Sequence, residues 1–212
     1  MRNGKEKEEP RPGTGPRARG RPRTIDPEAL IARAVEVFWA KGYEGASLDD
    51  LTRAMGVSRP TLYAAFGDKR TVFLAAIDAY ARGIGSEPMA AFEAQEDIVA
   101  AVRAFLRVSL ENNTAEALPP GCLIGCCAST STIEVPGVAE RIGAISTAGE
   151  HRLRSRFRRE CEAGVLPSVP DAVGRAALLM DLMNAQAIRA RAGASRRSLL
   201  RGLDVRVGAV VG

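Results

Sequence analysis

The run Leu48-Asp49-Asp50-Leu51-Thr52-Arg53-Ala54-Met55-Gly56-Val57-Ser58-Arg59-Pro60-Thr61-Leu62-Tyr63-Ala64-Ala65-Phe66 reads as two short helices joined by a tight turn. Leu48, Leu51, Ala54 and Met55 recur at i, i+3, i+6 and i+7, one face of a helix. Ser47 precedes them with Asp50 three residues on, the cap and acidic first turn that start a helix. Gly56 can adopt the left-handed conformation that stops one. Ser58 then caps a second helix, whose first turn tolerates Pro60 because the missing N–H has no partner there anyway. Leu62 and Phe66 give that helix an inner edge. Arg59, Thr61 and Tyr63 lie on its outer side: a long donor, a short hydroxyl and a phenol, suited to base edges and phosphate oxygens. Helix, glycine-centred turn and helix is the spacing of a helix-turn-helix, whose second helix enters the DNA major groove.

The flanks extend the pattern. A first helix is expected over 26–41, capped by Asp26, with Pro27 at its first position and Glu28 in its first turn. Leu30, Ile31, Ala34, Val35, Val37 and Phe38 form its inner stripe and Gly42 ends it. Tyr43 is expected to pack at the edge of this head. Asp68 caps a further helix over 69–84, with Val72, Phe73, Ala76, Ile77 and Tyr80 on one side.

Over residues 25–74 the chain resembles the DNA-binding head of the TetR family of bacterial regulators. The matching motifs are Ala34-Val35-Glu36-Val37-Phe38, Lys41-Gly42-Tyr43-Glu44-Gly45-Ala46-Ser47-Leu48, Met55-Gly56-Val57-Ser58 and Thr61-Leu62-Tyr63-Ala64-Ala65-Phe66-Gly67-Asp68-Lys69, in order. The resemblance implies an all-α fold: a three-helix head over 25–70, a linking helix, and a helical body over 71–212 that binds a ligand and dimerises. It further implies release from DNA when an effector binds, and a phosphate contact by Lys69, which matches the family position. The expected DNA-contact set is Ser47, Ser58, Arg59, Pro60, Thr61, Tyr63 and Lys69.

Residues 1–24 carry eight basic and three acidic side chains, a balance of +5 that equals the formal charge of the whole 212-residue chain. This Arg-, Gly- and Pro-rich segment has too few apolar residues to offset its chain entropy and is expected to be disordered alone. Placed just before a DNA-reading head, it suggests a phosphate or minor-groove arm, with Arg21 and Arg23 the candidate contacts. A solvated tail is the alternative.

The body reads as helices over 89–112, 136–163, 171–192 and 195–207, with a break at 114–120 and a small apolar segment at 121–133. The arginines at 152, 154, 156, 158 and 159 spread around their helix, which favours a solvated surface over a second DNA site. The resemblance implies that the last two helices meet their copies in a four-helix homodimer interface. On periodicity alone, ordinary buried helices explain them equally. A cavity lined by Phe105, Cys122, Cys126, Met180 and Met183 would take a mostly apolar small molecule.

Cys122, Cys126 and Cys127 cluster, and three readings compete: buried packing thiols, a redox or electrophile sensor, and a metal site. Packing is favoured; C-x3-C-C is not a zinc spacing and the one histidine, His151, is remote in sequence. No metal and no cofactor are therefore expected. The sequence has no H-E-x-x-H and no phosphate-cradling glycine loop after a strand, so an enzyme is not expected. It also has no apolar run of membrane length and a charged rather than apolar N-terminus, which points to the cytoplasm.

Overall fold

The computed structural model describes residues 26–212, and among these the regular structure is entirely helical. The expectations for residues 1–25, including Arg21 and Arg23, fall outside the described residues. Ten helices follow in order: α1 (Pro27–Gly45), α2 (Leu48–Met55), α3 (Arg59–Phe66), α4 (Lys69–Arg82), α5 (Glu87–Glu93), α6 (Ile98–Asn113), α7 (Val138–Glu162), α8 (Ala172–Arg191), α9 (Arg196–Leu200) and α10 (Leu203–Val211). A π-helical segment, Leu123–Ala128, lies between α6 and α7.

The head forms by local chemistry. The Asp26 carboxylate accepts from the Glu28 N–H and starts α1. Gly42, at φ +70°, interrupts the helical run, which resumes for one turn before the extended Ala46. Ser47 and Asp50 then form a reciprocal capping box: Ser47 Oγ accepts from Asp50 N–H at 3.1 Å and Asp50 Oδ2 accepts from Ser47 N–H at 3.1 Å. Gly56 takes the left-handed conformation, φ +69°, and ends α2. Ser58 Oγ accepts from Thr61 N–H and opens α3.

Leu30, Ile31, Ala34 and Phe38 of α1 bury themselves against Leu51 and Met55 of α2, Leu62 of α3, and Val72, Phe73, Ala76 and Ile77 of α4. The Phe38 and Phe73 rings meet at 4.7 Å and Tyr43 lies 5.0 Å from Phe73, so Tyr43 packs at the head's edge as expected. Full burial of a phenylalanine ring contributes about 2–3 kcal/mol. The body has a separate core from Phe92 of α5, Val102, Phe105 and Leu106 of α6, Leu153 and Phe157 of α7, Leu179 of α8 and Val207 of α10.

Two expected helices are each divided. The 89–112 helix is α5 and α6, because Asp97 accepts from Ala100 N–H and starts a new helix. The turn before it is held by Arg156, whose Nη1 donates to Gln95 O at 3.1 Å. The terminal helix breaks at Gly202 and continues to Val211 rather than 207. Arg152 of α7 pairs with Glu93 of α5, so two of the scattered arginines tie helices together rather than simply meeting solvent.

A hub absent from the sequence reading joins head and body. Trp39 is 1% exposed, and its Nε1–H donates to Gly121 O at 3.0 Å. Arg191, at the end of α8, donates to Trp39 O at 2.8 Å, to Ala40 O at 3.1 Å and to Pro120 O at 3.2 Å. Its cation thus satisfies helix-terminal carbonyls just before the Gly42 interruption. Gly121 admits no side chain: at φ +81°, a Cβ would lie 3.0 Å from each of Ala187 O, Arg191 Cβ and Cys126 Sγ.

Candidate nucleic-acid interface

Leu62 anchors α3 in the head core at 1% exposure, and its neighbours face outward. Arg59 and Pro60 are exposed, Tyr63 is 47% exposed and Thr61 is half-buried. Ser58 Oγ and Thr61 Oγ1 lie 2.8 Å apart, so these hydroxyls order the helix start as well as facing out. Arg59 is held from α2: its Nε–H and Nη2–H both donate to Asp49 Oδ1, at 3.1 and 2.8 Å. Arg59 and Tyr63, four apart on α3, share one exposed edge.

The two flanking residues are more constrained. Ser47 Oγ donates to Asp50 Oδ2 at 2.8 Å, so this hydroxyl is engaged in the capping box. Lys69 Nζ sits 4.2 Å from the centroid of the Tyr43 ring, a cation–π contact at the start of α4. Asp50 also meets Lys41 Nζ at 2.7 Å. Hydrogen bonding from Lys41, then from Ser47, holds the Asp50 carboxyl well below the usual carboxylate range. The Thr71 backbone N–H lowers that of Asp68, the α4 cap.

A cavity of about 320 Å³ lies in the body between α4, α6, α7, α8 and the π-helical segment. Phe105, Cys122, Met180 and Met183 line it; Cys126 is not among its lining residues. Cys126 is turned instead against the Gly121 backbone beside Arg191, and burial pushes its thiol upward. The wall is mostly apolar, and Ser109, Asn112, Asn113 and Asn184 add polar groups to it. Ser109 and Asn113, four apart on the buried face of α6, are a detectable signal: polar residues on an apolar stripe. Tyr80 of α4 also lines the cavity and donates its hydroxyl to Cys122 Sγ at 3.3 Å. Cys127 is buried, its Sγ–H donates to Trp39 O, and burial pushes its thiol up to about 11.

Among the described residues no group of three or more His, Cys, Asp or Glu side chains could hold a metal ion, and no helix is long and apolar enough to cross a membrane.

Comparison with known proteins places this arrangement. The sequence profile described as bacterial regulatory proteins, tetR family, matches residues 30–76. The HTH-type transcriptional repressor ComR of Escherichia coli (strain K12) is 29% identical over 186 residues, covering 87% of this chain and 89% of ComR. The TetR family transcriptional regulator CifR, solved as a cysteine mutant with 26-bp operator DNA, is 31% identical, with a TM-score of 0.81 over 89% of this chain and 99% of CifR. A TetR regulator from Chloroflexus aurantiacus, at 23% identity and TM-score 0.77, shares the fold over 86% of this chain and 92% of its own. These relatives are transcriptional regulators, not enzymes, and the chain belongs to the TetR family of bacterial regulatory proteins.

Proposed function

We propose that the protein is a ligand-responsive transcriptional repressor that binds a palindromic operator as a homodimer in the cytoplasm. The observation that carries this is α3: Leu62 is fixed in the core while Arg59 and Tyr63 stand on the outer edge. Thr61 and Tyr63 would complete the groove-facing set, with Ser47, Ser58, Pro60 and Lys69 at its margin and Arg21 and Arg23 tracking the backbone from the arm. Repression is supported by the likeness to ComR, a repressor matched along most of its length. The dimer would form through α8 and the final helices, where Val173, Ile188 and Val205 are 53%, 56% and 77% exposed.

The effector would occupy the body cavity, whose carboxamides and methionines suit a small molecule with a neutral polar group on an apolar frame. Tyr80 lies both on this wall and on α4, whose first turn follows α3 directly. A ligand that displaces Tyr80 would therefore bias the tilt of α4 and the placement of α3. The test is to select genomic fragments with the purified full-length chain, then measure mobility shifts with candidate ligands. Retention of a discrete palindromic fragment is expected; binding without sequence preference would reject the reading.

A thiol-sensing variant of the same regulator is favoured by one observation: Cys122 faces the cavity, whereas Cys127 is sealed under Trp39. N-ethylmaleimide should then release DNA from wild type and from Cys127→Ser, but not from Cys122→Ser. Release from all three would remove Cys122 from the role.

A further inference from the structure

Asp49 and Arg59 face each other across the turn of the helix-turn-helix, with Nε–H and Nη2–H of the guanidinium both on Asp49 Oδ1. The side chains are 63% and 56% exposed respectively, so the pair contributes only ~0–1 kcal/mol to folding. The helix starts do not need it either, since Ser47 with Asp50 caps α2 and Ser58 caps α3. What the contact does is fix the direction of a long side chain at the first position of the groove-facing helix.

A guanidinium has five N–H donors in one plane. Asp49 takes the edge formed by Nε and Nη2. The opposite end, formed by Nη1 and the second N–H of Nη2, is left as a two-pronged donor. Two parallel donors match O6 and N7 of guanine in the major groove. We propose that Asp49 is a positioning residue that aims Arg59 at a guanine in each operator half-site. The inference rests on the reading of α3 as the groove-facing helix.

Charge separates this from the simpler role of a phosphate clamp. The Asp49–Arg59 pair is neutral as a unit, and a phosphate brought to Arg59 would approach the Asp49 carboxylate as well. Such a contact gains little from counterion release. A guanine edge is uncharged and presents two acceptors, so the carboxylate is tolerated and the preset direction becomes useful. The pair would thus confer base preference while adding little to the salt dependence of binding.

The test uses the full-length chain, Asp49→Asn and Arg59→Ala, each selecting from a random duplex library, followed by competition at every operator position and a salt titration. Thermal melting checks that both variants fold as wild type does. Wild type should enrich a guanine at one position per half-site, and Arg59→Ala should lose that preference alone. Asp49→Asn should weaken it by a few-fold, up to about fivefold, while leaving other positions and the salt slope unchanged. The opposite result, a preserved guanine with uniformly tighter binding and a steeper salt slope in Asp49→Asn, would make Arg59 a phosphate contact and overturn the assignment. A wild-type chain that enriches no sequence would sink the groove-reading role of α3 and this inference with it.

Discussion

Asp50 shows how much a single residue carries in this head. It closes the capping box with Ser47, meets Lys41 from α1, and has its carboxyl pushed well below the ordinary range by those bonds, that of Lys41 foremost. A depressed carboxyl stabilises the fold above its unfolded value, roughly pH 4, and loses that contribution as pH falls toward the folded value. The melting difference between wild type and Asp50→Ala should therefore be constant from neutral pH down to about pH 4 and narrow below it. Narrowing between about pH 7 and pH 5 would point to another group. Tyr63 makes the complementary case. At 47% exposure it supports little of the core, so Tyr63→Ala should leave melting within about 0.5 kcal/mol of wild type. It should nevertheless remove measurable operator binding while the dimer persists; intact binding would take Tyr63 out of the interface.

Among the helices, the junction of α1, α8 and the π-helical segment ties the cavity wall to the head. Replacing Trp39 by Phe keeps an aromatic ring but leaves Gly121 O without its donor, a cost of about 1–3 kcal/mol for a buried acceptor. Hydrogen exchange should then accelerate together in the last turns of α1 and in residues 121–128, with α6 and α10 unchanged. Acceleration in α1 alone would show that the two are not coupled. This junction also marks where the sequence stops being legible. Caps, turn glycines and apolar spacing are local, and they specify α1 to α4 with their inner faces nearly to the residue. The pairing of Trp39 with Gly121 spans 82 positions and leaves no periodic trace. The division at Asp97 leaves only a faint one, an Asp directly before Ile98 of the same kind as the caps Asp26 and Asp68, with no glycine or proline before it. At the cavity, Phe105, Met180 and Met183 were legible as apolar residues on inner stripes. The Asn184 and Tyr80 lining depends on how α8 and α4 meet, and Cys126 turns away because Gly121 brings the backbone against it.

For the molecule as a whole, charge and symmetry divide the labour. Residues 25–70 hold six basic and seven acidic side chains, so the head is not electrostatically adhesive by itself, whereas residues 1–24 carry the chain's entire net charge. Deleting residues 1–23 should weaken operator binding and flatten its salt dependence by about one unit of log–log slope per lost phosphate contact. An unchanged slope would exclude the arm. Ile188→Asp places a charge on the exposed face of α8 and should shift the chain toward monomer in sedimentation, with operator affinity falling in step. The most direct test of the whole account is the stoichiometry of wild type on its own selected duplex, by sedimentation with footprinting. The prediction is two chains per palindromic site, protecting half-sites whose centres lie roughly 34 Å or somewhat more apart. A single chain bound to an asymmetric site, or no preferred site at all, would contradict it.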